Sequence, residues 1–226
     1  MSQEVWTAVD QYINGLLVPS DPILDATLHA SSAANLPSIQ VSPPQGKLLH
    51  LLAHLMGARN ILEMGTLGGY SSIWMARALP PGGRLLTLEA DAKHAEVARA
   101  NFARACLSNV IELRLGKALD SLQNIAAEGR GPFDLIFIDA NKSNMTEYFD
   151  WALKLSRRGS LIIGDNVIRD GAILDAASKN EDIQGLRRFN ERISKDPRVS
   201  ATEIQTVGSK GYDGFALIVV LADPVS

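Results

Sequence analysis

The sequence predicts an α/β protein: a doubly wound, mostly parallel sheet with helices on both faces and an antiparallel hairpin at its carboxyl end. Three observations carry that prediction. From Asn60 onward, short apolar runs of strand length alternate with longer amphipathic stretches of helix length, the pattern of parallel strands joined by crossover helices. Near the carboxyl end, two further apolar runs are separated only by residues 206–214. That link is too short for a crossover helix, so the two runs pair antiparallel. Finally, acids or amides close several of the runs, and in open sheets of this kind ligands bind beyond the carboxyl ends of the strands.

The elements follow in order. Val5, Val9, Tyr12, Ile13, Leu16 and Leu17 recur at helical spacing in the amino-terminal segment. Pro19 and Pro22 punctuate, and Ser20 or Asp21 can cap a second helix running toward Leu36, which Pro37 breaks. Ser42 before Pro43 and Pro44 favours the start of a third helix that carries Leu48, Leu49, Leu51, Leu52 and Leu55 and ends at Gly57. Strands are expected at Ile61–Met64, Leu85–Leu88, Val110–Leu115, Leu135–Ile138 and Leu161–Gly164. Between them, helices are expected at Ser71–Leu79, Asp91–Ala105, Ala118–Glu128 and Met145–Leu155. A polar stretch follows Asp170, then a helix across Ile183–Ser194. Strands Val199–Gln205 and Phe215–Leu221 complete a seven-stranded sheet. No repeat, low-complexity tract or interdomain linker is visible, so residues 1–226 read as one domain, with helices over 1–58 and the sheet core over 59–226.

Bulk properties narrow the function. At 46% hydrophobic and 21% charged residues the chain has the composition of a soluble globular protein. A formal charge of −3 and a pI near 5.8 leave no diffuse basic surface for nucleic acid. Cys106 is the only cysteine, which excludes an intrachain disulfide and a cysteine-based zinc site and reads as a packed small side chain. The amino terminus carries Glu4 and Asp10 and lacks the order of a signal peptide, and no apolar run is long enough to span a membrane. A cytoplasmic location is expected. His50 and His54 have the spacing of a zinc motif, but Leu51-Leu52-Ala53 supplies no glutamate between them, so packing or solvation is the better reading. Trp6, Trp74 and Trp151 read as core or interface anchors.

Asp139 closes the run Leu135–Ile138, and the pair Asp165-Asn166 closes the next strand. Two carboxylates and an amide at one sheet edge suit a hard divalent cation such as Mg²⁺. Lys142, three residues after Asp139, places an amine beside them. Alone, Asp139 and Asp165-Asn166 read more often as strand-end or helix-capping residues than as ligands, and Lys142 as a solvated lysine; the convergence makes the site.

The first strand runs into Glu63-Met64-Gly65-Thr66-Leu67-Gly68-Gly69-Tyr70-Ser71-Ser72. Glycines there let the backbone turn sharply and approach a ligand. Leu67 breaks the G-x-G-x-x-G spacing, and no Gly-Lys-Ser/Thr follows. Glu89 ends the second strand, where an acid can accept hydrogen bonds from both ribose hydroxyls of a nucleoside. Glu63 sits at an apolar strand end, where an unpaired carboxylate is costly, which favours a cationic ligand partner. A nucleoside with a charged amino-acid tail would satisfy both acids, and S-adenosylmethionine is such a molecule.

The succession Val41-Ser42-Pro43, the glycine loop, Glu89, Asp139-Ala140-Asn141-Lys142 and Gly164-Asp165-Asn166 resembles the cation-dependent O-methyltransferases, the family of the caffeoyl-CoA and catechol O-methyltransferases. Order and spacing match from about Val41 to the carboxyl end. The resemblance implies a Rossmann-like fold and a role for each position. Val41 and Ser42 would border the methionine end of the cofactor and Glu63 would bind its amino group. Gly65, Thr66, Tyr70 and Ser71 would line the turn, Glu89 would take the ribose, and Ala118 would flank the adenine. Asp139, Asp165 and Asn166 would hold the metal, with Asp139 also at the cofactor, and Lys142 would act as the base. Members often carry an acid where this chain has Asn141. The resemblance also favours a homodimer.

The expected reaction is methyl transfer from S-adenosylmethionine to one hydroxyl of a vicinal aromatic diol, with Mg²⁺ as the expected cation. Lys142 can accept the hydroxyl proton only as a neutral amine. Two rivals stand beside it. An NAD-dependent oxidoreductase would use Glu89 equally well, but Leu67 and the closing hairpin disfavour it. A non-catalytic cofactor-binding protein of the same fold is disfavoured by the intact cluster of Asp139, Lys142, Asp165 and Asn166. Segments Met1–Ala30, Val167–Asn180 and Thr206–Asp213 are expected to shape the acceptor side, the second of them as a mobile lid.

Overall fold

The computed structural model describes residues 2–223; Met1 and residues 224–226, the two ends of the 1–226 reading, lie outside the described residues. Helices α1 (Gln3–Leu17), α2 (Pro22–Ala33) and α3 (Pro43–Leu55) precede the sheet. The alternating part runs β1 (Asn60–Met64), α4 (Tyr70–Ala76), β2 (Arg84–Glu89), α5 (Ala92–Arg104), β3 (Ile111–Leu115), α6 (Ala118–Ala127), β4 (Leu135–Ile138), α7 (Met145–Lys154) and β5 (Leu161–Asp165). It closes with α8 (Glu181–Ser194), β6 (Val199–Gly208) and β7 (Gly211–Val220). Short 3₁₀ turns lie at Lys142–Asn144 and Ala172–Leu174.

The sheet has seven strands in the order β3-β2-β1-β4-β5-β7-β6. Neighbours from β3 to β5 pair parallel, and β7 pairs antiparallel with both β5 and β6. The order reverses between β1 and β4, and the crevice at such a switch point is where open α/β sheets bind ligands. Central strands bury both faces, so their sequences are continuous apolar runs and successive side chains enter opposite cores. Leu62, Leu86, Ile136 and Ile162 pack with Leu122, Phe149 and Phe189 on one side. Ile61, Leu85, Phe137 and Ile163 pack with Leu49, Ile73, Met75 and Phe102 on the other. Each such side chain contributes roughly 1.5–3 kcal/mol on burial.

Caps set the helix starts. Asp21 Oδ1 accepts from the amides of Ile23 and Leu24 at 3.0 Å each, with Pro22 in the first turn. Ser42 Oγ accepts from Gln45 N at 3.4 Å at the start of α3. Several boundaries shift by a residue or two from expectation, as helix ends commonly do; α4 starts at Tyr70 and stops at Ala76 rather than Leu79.

Two expectations are corrected. The segment 206–214 is not a loop: β6 and β7 continue through it, pairing Thr206 with Asp213 and Gly208 with Gly211, and only Ser209-Lys210 make the turn. Thr206, Val207 and Tyr212 favour extended pleated backbone, and a two-residue connection flanked by glycine suits a tight hairpin. Cys106 is exposed, not packed; it follows α5 at φ +57°, in the left-handed position that ends helices. The apolar stripe of α1 faces outward, since Val5, Val9, Tyr12, Leu16 and Leu17 are all exposed. The helix is held by its polar residues instead. Buried Asp10 accepts from Ser209 N at 2.7 Å, and Gln3 donates to the Gly208 carbonyl at 2.9 Å. His50 is half-buried with Nδ1 3.1 Å from the Trp74 carbonyl. Among the described residues no helix is long and apolar enough to cross a membrane.

Candidate active site

The glycine loop leaves β1 pressed against the end of β4. A Cβ on Gly65, at φ +99°, would stand 2.0 Å from the Asp139 carbonyl oxygen, so no other residue fits without parting the strands. Leu67 adopts φ +50°, a conformation uncommon for a bulky side chain that persists only where the surroundings impose it. Glu89 helps to impose it. Its Oε2 accepts from Thr66 N at 3.2 Å and Leu67 N at 2.7 Å, while Oε1 accepts from Ala90 N and Asp91 N at 2.9 Å each. The acid thus ties the loop after β1 to the end of β2 as well as facing the site.

Glu63 corrects the expectation that its burial calls for a ligand. It is fully buried beneath the loop, and the hydroxyls of Ser71, Ser72 and Thr87 all donate to its carboxylate. Burial dominates those bonds and pushes Glu63 up to about 7, with Asp139 adding repulsion. Because Thr87 donates to Glu63, the 2.6 Å contact between Thr66 and Thr87 is made by the Thr66 hydroxyl donating. One polar chain therefore runs from Glu63 through Thr87 and Thr66 to Glu89.

At the ends of β4 and β5, buried Lys142 donates from Nζ to Asp139 Oδ1 at 3.0 Å. Asp165 is also buried, with Asn166 N donating to its Oδ1 at 2.8 Å. Burial first, and repulsion from Asp139 second, push the Asp165 carboxyl well above the usual carboxylate range, against the pull of Lys142 and the hydrogen bond from the Asn166 amide. Asn166 holds φ +55°, and Arg169 and Asp170 behind it are left-handed too. Among the described residues no group of three or more His, Cys, Asp or Glu side chains is placed to hold a metal ion. The candidate set here is two carboxylates and an amide. Two mutually repelling carboxylates and an amide, with one amine beside Asp139, form a donor set that a divalent cation would neutralise, so these residues fit such an ion.

A cavity of about 780 Å³ runs from the loop and Ala118 past Tyr70 and Ser71 to Asp139 and Lys142. A second, of about 550 Å³, opens against Asp165, Gln45 and Tyr212. Val41, Asn166 and Arg169 line both, so the two spaces meet beside the carboxylates. Gly65, Thr66 and Glu89 line the first cavity with the residues just named, whereas Ser42 and Glu63 line neither. The Ser42 hydroxyl is spent on capping α3. Sequence reasoning missed Tyr148 from α7, Asp182 from α8, and Arg169, which also border the first cavity. They stand singly in segments without a motif, and folding alone brings them here. Lys117 had a signal, since it adjoins the Gly116 turn at the carboxyl end of β3.

A model of the O-methyltransferase family matches residues 18–219. The chain belongs to the O-methyltransferase family. The methyltransferase is 54% identical over 220 residues to a catechol O-methyltransferase of Niastella koreensis, covering 97% of this chain and 100% of that protein. It is 52% identical over 212 residues to a catechol O-methyltransferase of Mycobacterium tuberculosis, covering 94% of each. An O-methyltransferase from Bacillus cereus, solved in complex with SAH, has the same fold with a TM-score of 0.96 and 59% identity, over 97% of this chain and 100% of that one. This membership sets the nicotinamide oxidoreductase aside: the methyltransferase is an enzyme that transfers methyl groups to oxygen.

Proposed function

We propose that the enzyme transfers the methyl group of S-adenosylmethionine to one hydroxyl of a small catechol-type acceptor with the help of a divalent cation, Mg²⁺ first among the candidates. The observation that carries this reading is the convergence of the Lys142 amine with Asp139, Asp165 and Asn166 where the two cavities meet. The first cavity suits the cofactor. Gly65, Thr66, Tyr70 and Ser71 border its methionine end together with Val41, Glu89 takes the ribose by exchanging some of its backbone-amide bonds for the ribose hydroxyls, and Ala118 flanks the adenine. Glu63 acts from below by holding Ser71 and Ser72, and Ser42 by starting α3 next to Val41. Asp139 serves both cofactor and cation.

The chemistry follows from those placements. Methyl transfer from a sulfonium is an in-line displacement, so acceleration comes from positioning and from a ready nucleophile. When bound, the cation would supply positive charge that favours ionisation of an acceptor hydroxyl. Asp139, Asp165 and Asn166 would hold that charge, and Lys142, as the neutral amine once the cation replaces it beside Asp139, takes the hydroxyl proton on Nζ. The second cavity receives the acceptor ring, with the 167–180 segment over it as a lid.

The enzyme works as one catalytic unit, cytoplasmic and without nucleic-acid or membrane partners, and as a homodimer that covers the outward apolar stripe of α1. Methyl transfer from labelled S-adenosylmethionine to catechols and matched monophenols, with Mg²⁺ and with excess EDTA, tests the central reading. Catechol turnover that EDTA abolishes and Mg²⁺ restores is expected. Turnover untouched by EDTA, or equal turnover of monophenols, would reject the cation's role. S-adenosylmethionine binding without turnover of any acceptor would favour the non-catalytic rival.

A further inference from the structure

The turn that carries Lys142 is gripped from outside the sheet by α8. A Cβ on Gly185 would lie 2.3 Å from the Lys142 carbonyl oxygen and 2.6 Å from Ser143 Cα, contacts with rigid backbone that nothing can relieve by rotating. Hydrogen bonds flank this approach on both sides: Asp182 Oδ1 accepts from Ser143 N at 3.1 Å, and Arg188 donates to the Ser143 carbonyl at 3.3 Å. Glycine inside a helix is less favourable than alanine, and here the close approach of two backbones explains it. The same helix reaches the other way as well. Gln184 donates to the carbonyls of Ala176 at 3.2 Å and Ser178 at 2.8 Å, and Arg187 donates to the Ile173 carbonyl at 2.6 Å. Ala172, Ser178 and Asn180 of that segment border the second cavity.

We propose that α8 is a positioning element that registers the Lys142 amine against the acceptor. Gly185 sets the depth of the Lys142 turn, and Gln184 and Arg187 set the acceptor-side wall on the same rigid rod. Gly185 touches backbone rather than substrate, so it is a positioning residue. The proposal rests on the reading of Lys142 as base. Sub-ångström placement matters at this point because a shift of about 1 Å in a reacting group can cost about a hundredfold in rate.

Steady-state kinetics of the full chain with S-adenosylmethionine, Mg²⁺ and a catechol, together with calorimetric titration of S-adenosylmethionine, test it. Gly185→Ala is expected to lower kcat by about tenfold to a hundredfold while leaving the cofactor Kd and acceptor KM within about twofold. Gln184→Ala is expected to do the reverse, raising the acceptor KM several-fold with kcat nearly unchanged. Should Gly185→Ala fail to fold, Arg188→Ala, which adds no bulk, must show the same kcat-selective loss in smaller measure. A folded Gly185→Ala with full kcat, or with kcat and cofactor affinity falling together, overturns the proposal. Lys142→Ala measured alongside separates the two readings. If it is inactive while Gly185→Ala is fully active, only the positioning role fails; if it keeps full kcat, the base assignment falls and takes the proposal with it.

Discussion

Lys142 and Asp139 form an ion pair of 3.0 Å at the end of β4, with the lysine buried and the aspartate half-exposed to the cavity. The side chain proposed to take a proton is therefore bonded to one proposed to hold the cation. Lys142 also offsets the repulsion between the two carboxylates, since it pulls on Asp165 against the push of Asp139.

Charge and proton acceptance are separable at Lys142. A guanidinium keeps the positive charge but cannot accept a proton. Lys142→Arg is therefore expected to fold and to bind S-adenosylmethionine while losing about 10²–10⁴ in kcat. Single-turnover methyl transfer checks this, and a variant with near-normal turnover would show that only the charge matters.

Asp165→Asn should trade function for stability. It removes a buried carboxylate that burial and Asp139 push toward the neutral form, so thermal unfolding in EDTA should shift upward or stay level. The Mg²⁺ concentration for half-activation should rise by about tenfold or more, as losses in a metal's ligand environment generally require. Saturating Mg²⁺ should stabilise the wild type by about 2.7 kcal/mol at a hundredfold excess over Kd and the variant much less. Equal Mg²⁺ stabilisation of both would remove Asp165 from the ion's ligands.

Glu63 makes stability depend on pH. Its folded value of about 7 lies above the ordinary 4.5, so between those values the folded state holds more protons than the unfolded one. Stability should therefore fall as pH rises through that window and level off above it, by about 3 kcal/mol at most. Glu63→Gln should flatten this slope. Urea unfolding of both proteins between about pH 5 and 8 is the measurement, and parallel curves would mean that Glu63 is ionised throughout.

Gly65→Ala combines an unfavourable φ with a Cβ directed at the Asp139 carbonyl. It should cost at least about 1–3 kcal/mol from strain alone and abolish calorimetric binding of S-adenosylmethionine, because the loop cannot keep its place between Glu89 and β4. Normal cofactor affinity in this variant would sink the assignment of the first cavity.

What was legible in the chain itself was whatever depends on neighbours in sequence. The doubly wound sheet could be read because strands buried on both faces are continuous apolar runs. Asp139, Asp165 and Asn166 could be placed at one edge because each closes such a run. The turn after β1 announced itself through Gly65, Gly68 and Gly69. Tertiary structure alone decided the contacts between residues far apart in the chain. Glu63 finds its partners in Ser71, Ser72 and Thr87, so an acid that looked unpaired is satisfied. Glu89 spends its oxygens on four backbone amides. Asp10 docks on Ser209, which turns the apolar stripe of α1 outward, although its periodicity suits a core-facing helix equally well. Tyr148, Arg169 and Asp182 reach the cavity from segments whose sequences carry no sign of it. The physical reason is the same in each case. Periodicity and strand-end position follow from local backbone geometry, whereas the partner of a carboxylate or the face a helix presents is chosen by which packing of the whole chain leaves few buried polar groups unpaired.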